Sequence, residues 1–470
     1  MLIILSAGIF LSVIDIFIVN VAIPSIKKGI RGTDADMQLV IAMYLLGYAA
    51  FLLAGGRAGD VYGKKNIYVS GMVLFTIASG FCGFAQTAWQ LNSGRLLQGV
   101  SAAFMVPQGI AYIQVLFQDP KARTRAFGIY GSIAGSASVI GQLLGGILPD
   151  ITFIEEGWRL VFLINLPIGF ISAILAVKFL PDHRAAETAR FDFSGALLLA
   201  IALTGLVLPI ILGRELHWPL WSIMLLGLSL ILLFLFIYFQ KRKQMTGAHP
   251  LIHFRLFAYK DFRIGLYASV CYFLVQDTYF LINTVLMQTG FGISSSRTGL
   301  FFVVQGLGYI SASFIAARYV ARHGKLVLVI GAITMVLSLG FHIAVLHSSH
   351  FNLSVLLPTM FVYGAGCGTV LPSLLSVTLK NIPSELAGAA SGTYATFQQI
   401  SIALGIGILG GLFYDLLGNQ QNVADFTAAY KITSLINMLL LLVVGLLVSF
   451  LPKKHAASRQ GEHSFGLPGK

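Results

Sequence analysis

A chain of 470 residues that is 57% apolar and only 10% charged, with a mean hydropathy of +0.83, is neither a water-soluble enzyme nor a disordered polypeptide. Soluble domains carry about 25% charged residues, and disordered chains combine low hydrophobicity with high charge. A multispanning membrane protein remains, and the net charge of +13 then reads as basic residues gathered in cytoplasmic loops rather than as a nucleic-acid footprint.

A membrane-crossing helix needs about 20 mostly apolar residues. Fourteen such spans follow in chain order, at roughly 2 to 24, 38 to 57, 66 to 86, 89 to 116, 126 to 149, 159 to 180, 194 to 213, 219 to 239, 263 to 287, 297 to 317, 325 to 346, 353 to 378, 386 to 412 and 429 to 451. The first lacks a basic leading segment and holds Asp15, so it reads as a span and not as a signal peptide. With the N-terminus in the cytoplasm, 23 of the 31 Lys and Arg residues fall in inside segments, 7 outside, and Arg95 within a span. The largest group is Lys241, Arg242, Lys243, Arg255, Lys260 and Arg263, in one inside connector. Both termini are therefore expected in the cytoplasm, with the chain multi-pass in the plasma (inner) membrane.

Cys82, Cys271 and Cys367 lie inside apolar stretches and make neither a disulfide framework nor a CxxC pattern. His347 and His350 share a short outer loop, and His249 and His253 flank Pro250 on the inside. Neither pair has an evident third ligand, so no metal site is expected. No GxxxxGK[ST] phosphate loop is present, so an ATP-driven pump would need a separate subunit.

A shift of 261 residues superposes Leu46-Gly47-Tyr48 on Leu307-Gly308-Tyr309, and Arg57, Gly63 and Lys64 on Arg318, Gly324 and Lys325. The copies sit eight spans apart, so they share one topology. Parallel repeats suggest two helical bundles rocking about a central site. The expected fold is all-α: fourteen transmembrane helices in two six-helix bundles, residues 1–180 and 263–452. Two linker helices occupy 193–239, a cytoplasmic connector 240–262 and a cytoplasmic tail 453–470.

Between spans 2 and 3 runs Gly56-Arg57-Ala58-Gly59-Asp60-Val61-Tyr62-Gly63-Lys64-Lys65. Its glycines permit a tight turn, and its basic residues would hold that turn at the cytoplasmic surface. The segment resembles the signature loop of the major facilitator superfamily. Arg95-Leu96-Leu97-Gln98-Gly99 in span 4 is similar to that superfamily's proton-linked arginine motif, and Gly141-Gln142-Leu143-Leu144-Gly145-Gly146 in span 5 to its antiporter motif. Leu11-Ser12-Val13-Ile14-Asp15-Ile16-Phe17-Ile18-Val19-Asn20-Val21-Ala22-Ile23-Pro24 and Trp158-Arg159-Leu160-Val161-Phe162-Leu163-Ile164-Asn165-Leu166-Pro167-Ile168-Gly169 resemble the fourteen-span drug:proton antiporter family, multidrug efflux type. The chain departs from the pattern at Gln142, where proline is usual, at Val61, where arginine is usual, and at Leu39, where tryptophan is common. The resemblance implies a cytoplasmic gating role for Gly56, Arg57, Asp60, Gly63 and Lys64.

Span 5 also carries small residues four apart, Gly131 with Gly135 and Gly141 with Gly145, a spacing that lets helix backbones approach closely. Three ionisable residues lie deep in spans. Asp15, Arg95 and Asp277 sit about 14, 9 and 15 Å below the outer ends of spans 1, 4 and 9 at 1.5 Å per residue. Intramembrane charges are costly and point to function. A carboxylate in a poorly solvated cavity, near an arginine, can switch protonation as its surroundings change. A static Asp15–Arg95 bridge between spans 1 and 4 is the alternative. Asp15 and Asp277 are 262 residues apart and are candidate pseudo-equivalents. Phe273, Phe280 and Thr284 share one helix face around Asp277, and Gln98, Ala102 and Met105 continue the face of Arg95. Of these, Gln98, Met105, Phe273, Phe280 and Thr284 are the candidate cavity lining, with aromatic rings suited to a cation. Plain packing explains the phenylalanines equally.

The expectation is a secondary transporter, not an enzyme, exporting small amphipathic or cationic compounds in exchange for protons. Its rivals are a proton-coupled carrier of one metabolite, a membrane-embedded enzyme and a non-transporting sensor. Expected partners are small-molecule substrates, protons and the lipid bilayer. No cofactor and no nucleic acid is expected, and a periplasmic adaptor protein stays open. A cysteine placed at Ser349 should be labelled by a membrane-impermeant thiol reagent added outside, and one placed at Arg242 should not; the reverse pattern would invert the topology.

Overall fold

The structure is a computed structural model that describes residues 1–151, 156–182, 192–246, 250–346, 353–383, 386–418 and 422–451. Within them every regular element is helical, which is what a water-free hydrocarbon layer demands of a chain that cannot close into a barrel. Five helices come first: α1 (Leu2–Ile30), α2 (Asp34–Tyr62), α3 (Lys64–Gly83), α4 (Ala88–Leu116) and α5 (Pro120–Ile147). The sixth span is a short turn α6 (Leu160–Leu163) followed by α7 (Asn165–Phe179). The linker pair is α8 (Phe193–Glu215) and α9 (Leu220–Met245). The second half comprises α10 (Lys260–Val285), α11 (Ser295–Leu346), α12 (Leu356–Leu379), α13 (Ala387–Gly405), α14 (Gly411–Leu417) and α15 (Val423–Ser449). These elements give fourteen stretches long and apolar enough to cross a membrane.

Helix starts follow from local chemistry. Thr33 and Asp36 form a reciprocal capping box at α2, and Thr87 accepts from the Gln90 N–H at α4. Asp119 caps α5, with Pro120 in the first turn where no backbone donor is needed.

Two expectations are corrected. The signature segment is not a loop: α2 continues through Tyr62, and the reversal falls on Gly63 alone, whose φ of 90° a side chain would resist. Gly56 and Gly59 belong to α2 and lie against Pro107 and the Gln108 amide of α4, so tertiary contact prolongs the helix. The side chain of Asp60 and the tail 453–470 lie outside the described residues. Spans 10 and 11 are two crossings as expected, Ser295–Val320 and Gly324–Leu346, joined without a break in the helical assignment, and both pack on α12. Gly308 lies against Phe361 and Ala365, Gly324 against Val377, and Gly331 against Gly366 and Thr369. The other correction concerns α5: Gly141 and Gly145 do seat it on the backbone of α1 at Ile14 and Ile18, but Gly131 and Gly135 have no described atom in contact. The face of α5 that carries them is open, while Ala126, Tyr130 and Ala137 of the same half are buried.

The internal repeat recurs as packing. Gly47 and Gly99 bring α2 against α4, at the Leu96 and Tyr44 carbonyls; Gly308 and Gly364 bring the first limb of α11 against α12, at the Phe361 and Gln305 carbonyls. A Cβ at any of the four would strike backbone.

The two bundles meet along α5 with α11, α2 with α13, and α1 with α10. One end of this seam is closed. Gln288 donates to the Val21 carbonyl at 2.8 Å, the Ser296 hydroxyl to Asp150 at 2.6 Å, and Ser25 and Ser295 hydroxyls lie 3.3 Å apart. Short π-helical turns at Leu286–Gly290 and Ile406–Gly410 fall at this end, and Gln38 donates to the Ile406 carbonyl.

At the opposite end Asp192 caps α8 and accepts from Lys243 at 2.5 Å and Gln240 at 2.9 Å, both on α9. Burial alone would raise its carboxyl, but Lys243, Gln240 and the Gly195 N–H hold it below the usual carboxylate value. A depressed native value stabilises the fold above the unfolded-state titration and loses that effect as pH falls through the native one. Asp192→Asn should therefore lower stability by about 1–2 kcal/mol at neutral pH. Thermal unfolding should show the gap to wild type closing in acid, below about pH 4.

Candidate functional site

Span 1 carries two polar faces. Asp15 and Asn20 are five residues apart, which turns them about 140° from each other round the helix. Asp15 looks into its own bundle, and Asn20 looks across the seam.

Asp15 is fully buried, as is Arg95 at 1% exposure. Arg95 Nη1 donates to Asp15 Oδ2 in a salt bridge between α1 and α4. Asp15 Oδ1 accepts from Gln98 Nε2 at 3.1 Å and from Asn165 Nδ2 at 3.0 Å. Gln98 returns its carbonyl to Arg95 Nη1 at 2.8 Å, and Arg95 Nε donates to the Val40 carbonyl at 2.9 Å. The guanidinium lies 4.5 Å above the Tyr44 ring and 5.8 Å from Phe162. Helices α1, α2, α4 and α7 thus each contribute to one neutralised nest. Breaking α6 from α7 at Ile164 sets Asn165 at a helix start, where it reaches both Asp15 and Ser79.

Asp277 has different surroundings. It is 4% exposed on α10 and accepts from Asn20 Nδ2 of α1 at 3.3 Å, across the seam. Among the described residues no cation pairs with it. The Phe17 ring of α1 meets Phe280 edge-on at 5.5 Å, and Phe280 lies 5.2 Å from Phe302 of α11. Aromatic rings from three helices therefore meet at the join of the two bundles, with Phe280 one helical turn along α10 from Asp277.

The remaining expected site residues separate. Phe280 stays beside the seam. Phe273 points to Tyr394 of α13 at 6.3 Å, and Thr284 is buried with no described partner for its hydroxyl. Gln98 belongs to the Asp15 nest and not to a cavity. Met105 is corrected outright: it fills the space left by Gly8 of α1 and Gly71 of α3, inside the first bundle. Asp15 and Asp277 are not geometric equivalents, since one faces its own bundle and the other faces the opposite one. In the signature segment Arg57 Nη2 lies 3.5 Å from His253 Nε2 of the connector, and Lys64 is largely buried. Sequence reasoning passed over Asn20, Asn165, Tyr44 and Phe17. Asn20 and Asn165 carried a readable signal, being amides within otherwise apolar spans.

Two helical bundles packed along a seam that holds a buried carboxylate form the architecture of a membrane transporter. The family model described as Major Facilitator Superfamily matches residues 5–254, 191–406 and 265–467, and the chain belongs to this family. It is 34% identical over 423 residues to a probable actinorhodin transporter of Streptomyces coelicolor, covering 88% of this chain and 72% of that protein. It is 31% identical over 434 residues to MdtD of Salmonella paratyphi A, a putative multidrug resistance protein, covering 91% and 89%. Among solved structures, a D-xylose-proton symporter superposes with a TM-score of 0.69 at 13% identity, covering 96% and 97% of the two chains. A bacterial homologue of the lysosomal transporter Spinster gives 0.68 at 15% identity, covering 95% of each. At these identities the structures share the fold.

Removing one member of a buried ion pair strands the other. Arg95→Leu should cost about 3–5 kcal/mol, because Asp15 is left without its partner in a fully buried site. Thermal stability of Arg95→Leu, Asp15→Asn and the double variant should be strongly non-additive, the double variant losing less than the sum. Additive losses would mean that the two side chains stabilise the bundle separately.

Proposed function

We propose that this protein exports small amphipathic or cationic compounds in exchange for protons, with both termini in the cytoplasm of the bacterial plasma membrane. The observation that carries this reading is Asp277: a buried carboxylate at the join of the bundles, held by the Asn20 amide, with the rings of Phe17, Phe280 and Phe302 meeting one helical turn away. An uncompensated carboxylate in low dielectric attracts either a proton or an organic cation, so the two compete for one place. Ring edges nearby accommodate apolar bodies of varied shape, and their faces favour a cation.

In this cycle the state open to the outside loads a proton on Asp277 and releases its cargo. The state open to the cytoplasm loses the proton and takes cargo up. The bonded Asp150–Ser296 end and the open Gly131–Gly135 face of α5 support assigning the geometry described above to the second state. Asp15, with Arg95, is the second coupling carboxylate; it acts through α1, whose opposite face carries Asn20. The α2–α3 turn, with Gly56, Arg57, Asp60, Gly63 and Lys64, is the cytoplasmic gate. Relatives named as multidrug resistance proteins support a broad cargo range, and the relative named for actinorhodin supports the narrower reading of one metabolite.

Purified protein in vesicles with an imposed proton gradient separates these. Asp277→Asn should reduce export of lipophilic cations about tenfold or more and that of neutral compounds less. Equal loss for both would remove Asp277 from cargo recognition. Movement of a single compound out of a varied panel would favour the metabolite carrier, and no gradient dependence would end the proton-exchange reading.

A further inference from the structure

Helix α8 is uncharged until its last turn, where Arg214 and Glu215 stand side by side. Adjacent helical residues point about 100° apart, so the two side chains serve different neighbours. Glu215 Oε2 accepts from the Ala35 N–H at 3.0 Å, one of the donors that the first turn of α2 leaves free. A carboxylate there also meets the positive end of the α2 dipole. Arg214 Nη1 donates to Asp415 Oδ1 of α14 at 2.8 Å, and its guanidinium lies 6.0 Å from the Tyr414 ring. One residue thus holds the first bundle and its neighbour holds the second, at the Asp150–Ser296 end of the seam.

The rest of α8 is committed to one side. It packs along α2 and meets the second bundle mainly at the π-helical turn, where Gly407 leaves room for Ile210 and Ile211, and Gly411 for the Arg214 stem. Directly after Glu215 the chain reverses. His217 and Trp218 both take a φ of 57°, which side chains adopt at a cost, and the Trp218 N–H donates to the Gly213 carbonyl at 2.6 Å. Gly213 lies against Ser222 of α9, so the last turn of α8 is braced from behind.

Opening this end of the seam would carry the start of α2 away from the end of α14. Arg214 and Glu215 share one braced turn and cannot follow both. Packing along α2 keeps Glu215 with the first bundle, so the contact that must part is Arg214 with Asp415. We propose that α8 is a latch on the closed end of the seam, engaged by the Arg214–Asp415 pair and released when that pair breaks. Its side chains are 12% and 56% exposed, so the bond is modest and open to screening by salt. A modest bond suits the role, because a carrier's two states lie close in free energy and a strong one would trap it. The inference rests on the rocking cycle proposed above and gives the linker pair a part in it: α8 biases which end is open.

The test is pulsed electron paramagnetic resonance on the full chain in lipid nanodiscs. Spin labels go on Lys28→Cys and Arg297→Cys, exposed sites on either side of the closed end, with Cys271→Ala; Cys82 and Cys367 are buried. Asp415→Asn, at an exposed position, should raise the ratio of the long-distance to the short-distance population about fivefold, the worth of an exposed ion pair. Arg214→Gln should do the same, and the two together should do no more than either alone. The exchange Arg214→Asp with Asp415→Arg should restore the parent ratio. Raising salt from about 0.05 to 1 M should shift the parent the same way and leave Asp415→Asn unmoved. Two populations with a ratio that ignores Asp415→Asn, or losses that add in the double variant, overturn the latch alone. A single distance under every condition ends both the latch and the rocking cycle. The expected shifts in a protein without gradient-driven export leave the latch standing and end the proton-exchange reading.

Discussion

A charge placed in hydrocarbon must carry its compensation with it. Around Asp15 that compensation is complete: a guanidinium, two amides and two aromatic faces, drawn from α1, α2, α4, α6 and α7. The first bundle is organised around this nest, because each of those helices must arrive at the right depth and rotation to supply its group. Left unpaired, either charge would cost several kcal/mol. The same constraint is met less completely at Asp277, which among the described residues has an amide, Asn20, and no cation.

Close approach of backbones makes the arrangement possible. With no hydrophobic force between helices in lipid, contact comes from small residues and polar bonds. Glycines at like places in both halves bring α2 onto α4 and α11 onto α12 at the level of main-chain carbonyls. On α5 the packing is divided: Gly141, Gly145 and Gly146 lock one half between α1 and α11, and the face with Gly131 and Gly135 has no described atom against it.

The linker pair is attached to both bundles. Glu215 of α8 accepts from the Ala35 N–H of α2 at 3.0 Å, and the neighbouring Arg214 reaches Asp415 of α14 at 2.8 Å. Helix α8 so bridges the seam at its closed end, beside the π-helical turn of Ile406–Gly410, and Gly407 there leaves room for Ile210 and Ile211. By contrast, α9 presents most of its length to the surroundings and is held to α8 by Ser229 and by Asp192. An exposed pair of ion-pairing residues is individually weak, but its place across the seam ties α8 to the relative position of the bundles.

The sequence by itself determined the number of spans, the parallel repeat and the residues too costly to bury without purpose, because hydrophobic length, periodicity and isolated charge are local properties. Fourteen spans, Asp15, Arg95 and Asp277 were legible for that reason. Which way each charge faces was not. A one-residue difference in register rotates a side chain by about 100°, so Asp15 and Asp277, 262 residues apart in a repeat of 261, look in different directions. The same holds for Met105, which shares a helical face with Arg95 but is covered by Gly8 and Gly71, and for the signature segment, which reads as a loop until Gln108 and Pro107 of α4 prolong α2 through it. Only tertiary structure decides whether an intramembrane polar group is neutralised, shared across a seam or left without a partner, since those outcomes depend on neighbours that are distant in the chain.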